Sequence, residues 1–292
     1  LSASAGTTVK YKLDSGTEQS PSAPAEIMVS VGAHTLEVWT VKGTIEGPPT
    51  TMHIKVVDAV RAYGELKNLV KNAPEQGTGT GQYNYSNSID IKIGGDLSAS
   101  SADTEIAVTG GKKLMLSSSV ASTVRTINAN NSGRIFKISG AGTLLTLWDL
   151  QLTGGDAADG KGGAVCVEAG GALWLKGKTV ITPSTESDIN TKGKNDVYLA
   201  TGSLINLDGI LTDAAPIVAR ITPAQYRDEE AVLGSNIAGG TPPNYTKFSV
   251  TQRDDGFLWK IKNDGTLQKI SAVINGGSGA WQKLKEAVQN FP

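Results

Sequence analysis

Residues 106–116 read IAVTGGKKLML, and the same layout returns as VCVEAGGALWL at 165–175 and VYLATGSLINL at 197–207. Each stretch has two apolar residues flanking one outward position, a five-residue glycine- or threonine-bearing spacer, and a second such pair. Residues 136–147, FKISGAGTLLTL, are the same unit with one residue inserted in the spacer. The units start at 106, 136, 165 and 197, so they lie 29–32 residues apart. A fixed period of that size governs the fold before any local detail does. Alternation with a period of two marks strands. Thr109-Gly110-Gly111, Ser139-Gly140-Ala141-Gly142, Ala169-Gly170-Gly171 and Ala200-Thr201-Gly202 supply the turns. A third short strand follows in each unit: Thr123–Ile127, Leu150–Thr153, Thr179–Thr182 and Ile210–Thr212.

Three short strands per repeat form one coil of a three-sided solenoid. A single coil cannot bury its apolar positions, whereas coils stacked about 4.8 Å apart align them into continuous ladders. Parallel strands joined in this way wind right-handed. The pattern therefore predicts a mainly β protein with a right-handed parallel β-helix of about four ~30-residue coils at 75–215. Val108, Ile138, Val167 and Leu199 are its expected inward ladder. A sandwich or barrel of the same strands is the alternative, but it gives no reason for equal spacing. Outside, Glu105, Arg134, Ala164 and Asp196 are expected at one place in successive coils. Glu105 and Arg134 could pair there, which for exposed groups is worth about 0–1 kcal/mol.

The flanks read differently. Residues 1–57 alternate as a small β-sandwich, with strands at Val9–Leu13, Ile27–Val31, His34–Trp39 and His53–Val57 and turn chemistry at Asp14-Ser15-Gly16. Over 58–74 the period becomes helical: Val60, Tyr63, Leu66, Leu69, Val70 and Ala73 share a face, and Pro74 ends the run. That helix is expected to cap the β-helix. Residues 216–275 do not fit the repeat. Pro216, Pro223, Pro242 and Pro243 punctuate them, and a meander is expected. In it Thr246–Gln252 and Phe257–Lys262 form a hairpin about Asp254-Asp255-Gly256, and Asn263-Asp264-Gly265 turns into Thr266–Ile270. Residues 276–292 carry a terminal helix. Ala280–Pro292 aligns without gaps on Ala62–Pro74, identical at six of thirteen positions, including the closing Asn-x-Pro. The expectation is a repeated unit of which a second copy begins at the end of this chain, with Trp281, Leu284 and Val288 exposed or docked on a partner. The start at Leu1 suggests a mature form or fragment whose targeting signal is gone.

Two resemblances attach to these stretches. TTVKYKLDSGTEQS (7–20) and VSVGAHTLEVWTVKG (29–43) resemble the fibronectin-III-like module found at the C-terminus of chitobiases and in bacterial surface proteins. Tyr11, Leu13, Asp14, Gly32, His34, Thr35 and Leu36 match its pattern, with Ser15 as a departure in the turn. The resemblance implies a spacer without activity. GGAVCVEAGGALWLKGKTVIT (162–182) and NDVYLATGSLINLDGILT (195–212) resemble the repeats of polymorphic outer-membrane-protein-like and treponeme-type surface proteins. That implies an exported β-helix, extracytoplasmic and cell-surface or outer-membrane-associated.

Composition limits the function. There are 27 Lys and Arg against 28 Asp and Glu, a net charge of −1, and no window gathers a basic cluster. That excludes a nucleic-acid footprint, which needs a concentrated basic face. No apolar run approaches the ~20 residues of a membrane-spanning helix. Cys166 is the only cysteine, so no internal disulfide can form, and it reads as a small strand residue.

Many β-helices act on polysaccharides, with clustered carboxylates on one exposed face. The candidates here are Asp149, Asp156, Asp159, Glu168, Asp196 and Asp208. Asp149, Glu168 and Asp208 fall at dissimilar places in their coils. Asp156-Ala-Ala-Asp159-Gly-Lys161 lacks the dense oxygen spacing of a calcium loop. His34 and His53 have no companion at metal spacing, and Gly77-Thr-Gly79-Thr-Gly81 lacks the strand-then-helix context of a phosphate loop. Trp148, Trp174 and Tyr198 are the aromatic candidates for glycan stacking; Trp174 and Tyr198 should face outward on different sides. The sequence thus yields no catalytic, cofactor or metal residue. It points to a non-catalytic surface scaffold or adhesin-like protein whose partner is a host or cell-surface protein or glycan. The alternative is a glycan-binding or polysaccharide-degrading β-helix.

Overall fold

The computed structural model describes residues 6–20, 32–56, 59–75, 88–103, 105–181, 192–213, 215–253 and 257–270. The chain divides into two compact units, residues 1–58 and 59–292.

In the first unit β1 (Thr8–Leu13), β2 (Gly32–Lys42), β3 (Ile45–Glu46) and β4 (Thr50–Val56) form one antiparallel sheet, with β2 pairing all three others. Among its described side chains, Val9, Leu36 and Trp39 are buried. The strand expected at Ile27–Val31 lies outside the described residues.

The second unit is the solenoid. α1 (Tyr63–Asn72) buries Tyr63, Leu66 and Val70 against the solenoid core. The Glu65 carboxylate accepts from the Arg61 amide (3.0 Å), which holds the first turn. At the other end Ala73 is extended (ψ 136°), as a residue before proline must be. The last carbonyls of the helix are not left open: Lys112 Nζ donates to those of Val70 (3.0 Å) and Lys71 (2.7 Å).

A partial coil follows, β5 (Ile89–Ile93) and β6 (Leu97–Ser98). Then come β7 (Ile106–Val108), β8 (Lys113–Ser118) and β9 (Arg125–Asn128); β10 (Phe136–Ile138), β11 (Thr143–Trp148) and β12 (Leu150–Thr153); and β13 (Val165–Val167), β14 (Gly171–Lys176) and β15 (Val180–Ile181). The next coil begins with β16 (Val197–Leu199) and β17 (Ile205–Asp208). Every strand in these coils pairs with its neighbours in parallel, so the coils stack as the repeat requires. The inward ladders run Ile106, Phe136, Val165, Val197 and Val108, Ile138, Val167, Leu199 on one side. On the second they run Leu114, Leu145, Leu173, Ile205 and Leu116, Leu147, Leu175, Leu207; on the third, Leu97, Ile127, Leu152, Ile181. All of these residues are buried, and each such side chain contributes about 1.5–3 kcal/mol of transfer energy. The inserted residue of the second unit is absorbed in its turn, where Gly140 and Gly142 take φ of +93° and +77°.

The solenoid runs further than the repeat reading allowed, to about five turns rather than four. Ile210–Thr212 does not form the expected third strand: Ile210 is exposed, and the segment's backbone is held by Asn244, whose side chain bonds Leu211 N and Gly209 O. The ladder position passes to β18 (Ala219–Pro223). Its start pairs with Ile181 and its end with Val197–Leu199, so it turns the corner between two ladders in one strand. β19 (Phe248–Val250) stacks on β18 in parallel and does not form the expected hairpin with Phe257–Lys262. Residues 219–250 thus continue the β-helix, where a separate meander was expected. A shortened coil hides the period there: Ile221 stands in register with Val197, only 24 residues earlier. A hairpin closes that end, β20 (Leu258–Ile261) with β21 (Leu267–Ile270), turning at Asn263-Asp264-Gly265 as anticipated. Trp259, Ile261 and Leu267 bury onto the core. The turn at 254–256 and the terminal helix at 280–292 lie outside the described residues.

Candidate functional site

The six carboxylates weighed for chemistry are all employed in holding loops and coils together. Asp159 takes Arg134 in a two-pronged bond (2.7 and 2.9 Å), and the same guanidinium reaches Glu105 of the preceding coil (2.6 Å) and the carbonyls of Lys161 and Gly162. Lys137 bridges to Glu168 (3.0 Å) and Lys176 to Asp208 (2.7 Å), each pair spanning adjacent coils. Asp156 pairs with Lys194, and Asp149 accepts the Lys178 amide (2.7 Å). Burial pulls the Arg134 pKa down, but the bonds to Glu105 and Asp159 outweigh it and the net shift is upward. For Asp159 burial pushes upward, while the Lys161 amide and Arg134 carry it below the usual carboxylate value.

The anticipated Glu105–Arg134 pair is present, but the row it was assigned to is not an exposed one. Ala164 and Asp196 are fully buried. The Asp196 carboxylate accepts the amides of Gly163 (2.9 Å) and Gly193 (3.2 Å) and the hydroxyl of Thr222. The close-packed glycines force this: a Cβ on Gly163 would stand 2.1 Å from the Gly193 carbonyl, so the loops of successive coils meet backbone to backbone. Their amides then require a buried acceptor.

Cys166 lies in the outward row between Lys137 and Tyr198, yet is buried, and that burial pushes its thiol pKa up. His34, near the start of β2, holds the turn that follows β1: its Nδ1 meets Asp14 at 2.5 Å, and the other Asp14 oxygen accepts the Thr35 amide (2.8 Å). Among the described residues, no three His, Cys, Asp or Glu side chains come together as metal ligands would.

The aromatics separate into two settings. Trp148 and Trp174 stand on neighbouring strands of the second ladder, both half-buried. Lys176 covers Trp148 at 4.5 Å and Lys92 at 5.9 Å, and these lysines are held by Asp208 and Asp90. That face is internally balanced in charge. Tyr198, on the first ladder, instead opens onto a cleft of about 320 Å³ lined by Gly160, Lys192, Thr222, Pro223, Ala224, Tyr226 and Arg253 as well.

Three cations surround the two tyrosines of this cleft. Lys161 lies over the Tyr198 ring at 5.8 Å; Lys192 and Arg253 lie over Tyr226 at 5.9 and 5.1 Å. Neither Lys161 nor Lys192 has an ion-pair partner among the described residues. The floor is rigid: Tyr226 donates to the Thr251 carbonyl (2.7 Å) and stacks edge-on against Trp259 at 5.8 Å, while Thr251 and Thr222 share a bond (2.6 Å) that leads on to Asp196. Exposed cation–ring contacts are worth about 0.5–1 kcal/mol each, so a ligand can displace them readily. Sequence reading singled out Tyr198 alone. Lys161, Lys192, Tyr226 and Arg253 come from four separate loops, and no spacing in the chain announces their meeting. No family model, curated protein or solved structure matches this chain.

Proposed function

We propose that this chain is a non-catalytic, extracytoplasmic scaffold of the treponeme-type surface-protein kind, in which the β-helix is the rigid element that carries a binding surface. The observation that carries this reading is the use made of the carboxylates. Asp159, Glu168, Asp156 and Asp208 are each paired with a cation, Asp149 with a backbone amide, and Asp196 is sealed in the wall. General acid–base work on a glycosidic bond needs two acidic groups facing one substrate at a set separation. Here the acids are each engaged by a cation, a backbone amide or a hydroxyl. The exported location rests on the composition and on the likeness of the 162–212 repeats to such surface proteins.

The test is a screen of neutral and acidic polysaccharides for release of reducing ends and of unsaturated uronates. No turnover is the expected result. Turnover that disappears in Asp159→Asn or Glu168→Gln would overturn the reading. The binding half of the alternative, a glycan-recognising β-helix, is favoured by one specific feature: the tyrosine-lined cleft beside β16.

A further inference from the structure

We infer that the outer edge of β20, at Ile261, is a docking site for one residue of an extended peptide from a protein partner, which adds to the closing hairpin as a strand does. This rests on the scaffold reading and names the partner chemistry for it.

The hairpin fixes which way each backbone group points. In β21 the Leu267 amide donates to the Glu230 carbonyl (2.8 Å), and the Leu267 carbonyl accepts from the Glu229 amide (3.0 Å). The Lys269 amide donates to the Asp228 carboxylate (2.6 Å). Leu267 and Lys269 thus turn away from β20, which leaves Lys260–Gln268 and Leu258–Ile270 as the pairs that bond the two strands. Nearer the turn the Lys262 amide donates to the Thr266 carbonyl (2.8 Å), in the same phase. Trp259 and Ile261 therefore present their N–H and C=O at the outer edge of β20.

These two outward residues differ in what meets them. Trp259 is closed by the Gln252 carboxamide: Oε1 accepts the Trp259 amide (2.8 Å) and Nε2 donates to the Trp259 carbonyl (3.0 Å). Among the described residues nothing bonds the backbone N–H or C=O of Ile261. A cleft of about 310 Å³ opens beside it, with Tyr245 and Gln268 in the lining. Ile261 lines the cleft too, yet its side chain is packed in the core, so its backbone is what the cleft exposes. An open N–H and C=O on a strand edge are a template for an added strand.

Gln252 shows which ligand fits. It meets Trp259 with a donor and an acceptor on one side, and a residue of an extended chain offers the same pair through its own N–H and C=O. The acetamido group of an amino sugar does not, because the N–H and C=O of a trans amide point opposite ways. The occupant is therefore a peptide. Gln252 bounds the open edge on one side and the turn at Asn263 on the other, so the backbone holds one residue and the Tyr245 ring meets a neighbouring side chain.

The experiment is nuclear magnetic resonance of the isotope-labelled full chain with three probes: a pool of blocked pentapeptides of Val, Ile, Thr and Tyr, the same pool with every amide N-methylated, and an N-acetylglucosamine tetramer. The unmethylated pool alone should shift the Ile261 amide signal and slow its exchange about tenfold, the scale of one net hydrogen bond. The Trp259 amide, already bonded, should move far less. Ile261→Pro removes the outward N–H, a change that an edge strand tolerates, and should abolish binding as read at Asn263 and Gln268. Gln252→Ala frees the Trp259 groups, lengthens the open edge to two residues and should tighten binding about tenfold, a gain that misfolding does not mimic. Unchanged circular dichroism and Tm would show that the variants fold; if either does not, the N-methylated pool carries the test. The inference is overturned if the pool leaves Ile261 unmoved, if the N-methylated pool moves it equally, or if the sugar binds there instead. It is overturned as well if the shift appears with rising protein concentration alone, which would mean that β20 pairs with a second copy. Each of these results leaves the scaffold reading standing, which only turnover of a polysaccharide would remove.

Discussion

Removal of the Asp196 carboxylate tests the packing logic of the coils most directly. Its oxygens take the Gly163 amide at 2.9 Å, the Gly193 amide at 3.2 Å and the Thr222 hydroxyl. In Asp196→Ala the hydroxyl keeps a partner, since Thr251 lies 2.6 Å away. The two amides do not, and Gly163 and Asp196 are in the buried wall. An orphaned buried donor costs about 1–3 kcal/mol. Against that, the variant no longer buries a carboxylate, and water admitted to the space can satisfy part of the loss. The net expectation is a destabilisation of about 2–4 kcal/mol. Asp196→Asn keeps one acceptor oxygen and should fall between.

Coils in a solenoid depend chiefly on their neighbours, so the loss should be local before it is global. Amide exchange followed by mass spectrometry should show faster exchange in peptides containing Gly163 and Gly193, with little change over 89–128. Asp159→Ala, an exposed acid on the same side, is the control and should shift stability by no more than about 1 kcal/mol. If Asp196→Ala matches that control in urea denaturation and in exchange at Gly163 and Gly193, the buried-acceptor account is refuted.

Leu145 stands between Leu114 and Leu173 in the middle of a fully buried ladder, so Leu145→Ala should cost about 3–5 kcal/mol in urea denaturation; a cost below about 1 kcal/mol would contradict the ladder register. Lys112→Ala removes the donor to the last carbonyls of α1, and about 1.5–3 kcal/mol of local stability with it; proteolysis near residues 63–75 should become faster. Asp264 is held at about 2, against an ordinary 3.8, by the Thr266 hydroxyl and amide and by Lys262. Its folded value is the lower one, so the charged form supports the closing hairpin above the ordinary value. That support is lost as pH falls through 3.8 towards 2. Nuclear magnetic resonance titration of Asp264 should place its midpoint in that range, and Asp264→Asn should remove the dependence.

Some of this protein could be read from the chain alone. A strand pair such as Val165–Val167 and Leu173–Leu175 recurring at a near-constant interval determines parallel stacking, because only stacked copies can bury every apolar ladder at once. The helix at 63–72 was legible for a similar reason, through spacing that places Tyr63, Leu66 and Val70 on one face, and so was the Asn263-Asp264-Gly265 turn. These are local patterns tied to period, and period survives without knowledge of neighbours. The fifth turn was not legible. Ile221 and Val250 are ordinary ladder residues 29 positions apart, but Ile221 follows its partner Val197 by only 24, and one shortened coil breaks the period before it can be detected.

The site was beyond the sequence for a further reason. Tyr198 reads as outward from alternation, but whether an outward residue is buried, as Cys166 is, or stands at the mouth of a cleft depends on what the adjacent loops place over it. Those loops bring Lys161, Lys192, Tyr226 and Arg253 together from segments up to 92 residues apart. Likewise Asp196 is charged and looks exposed in the chain. Only the contact of two glycine-rich loops, backbone against backbone, turns it into the buried acceptor on which the wall depends. Strand period is written residue by residue; the meeting of side chains from different coils exists only once the coils have stacked.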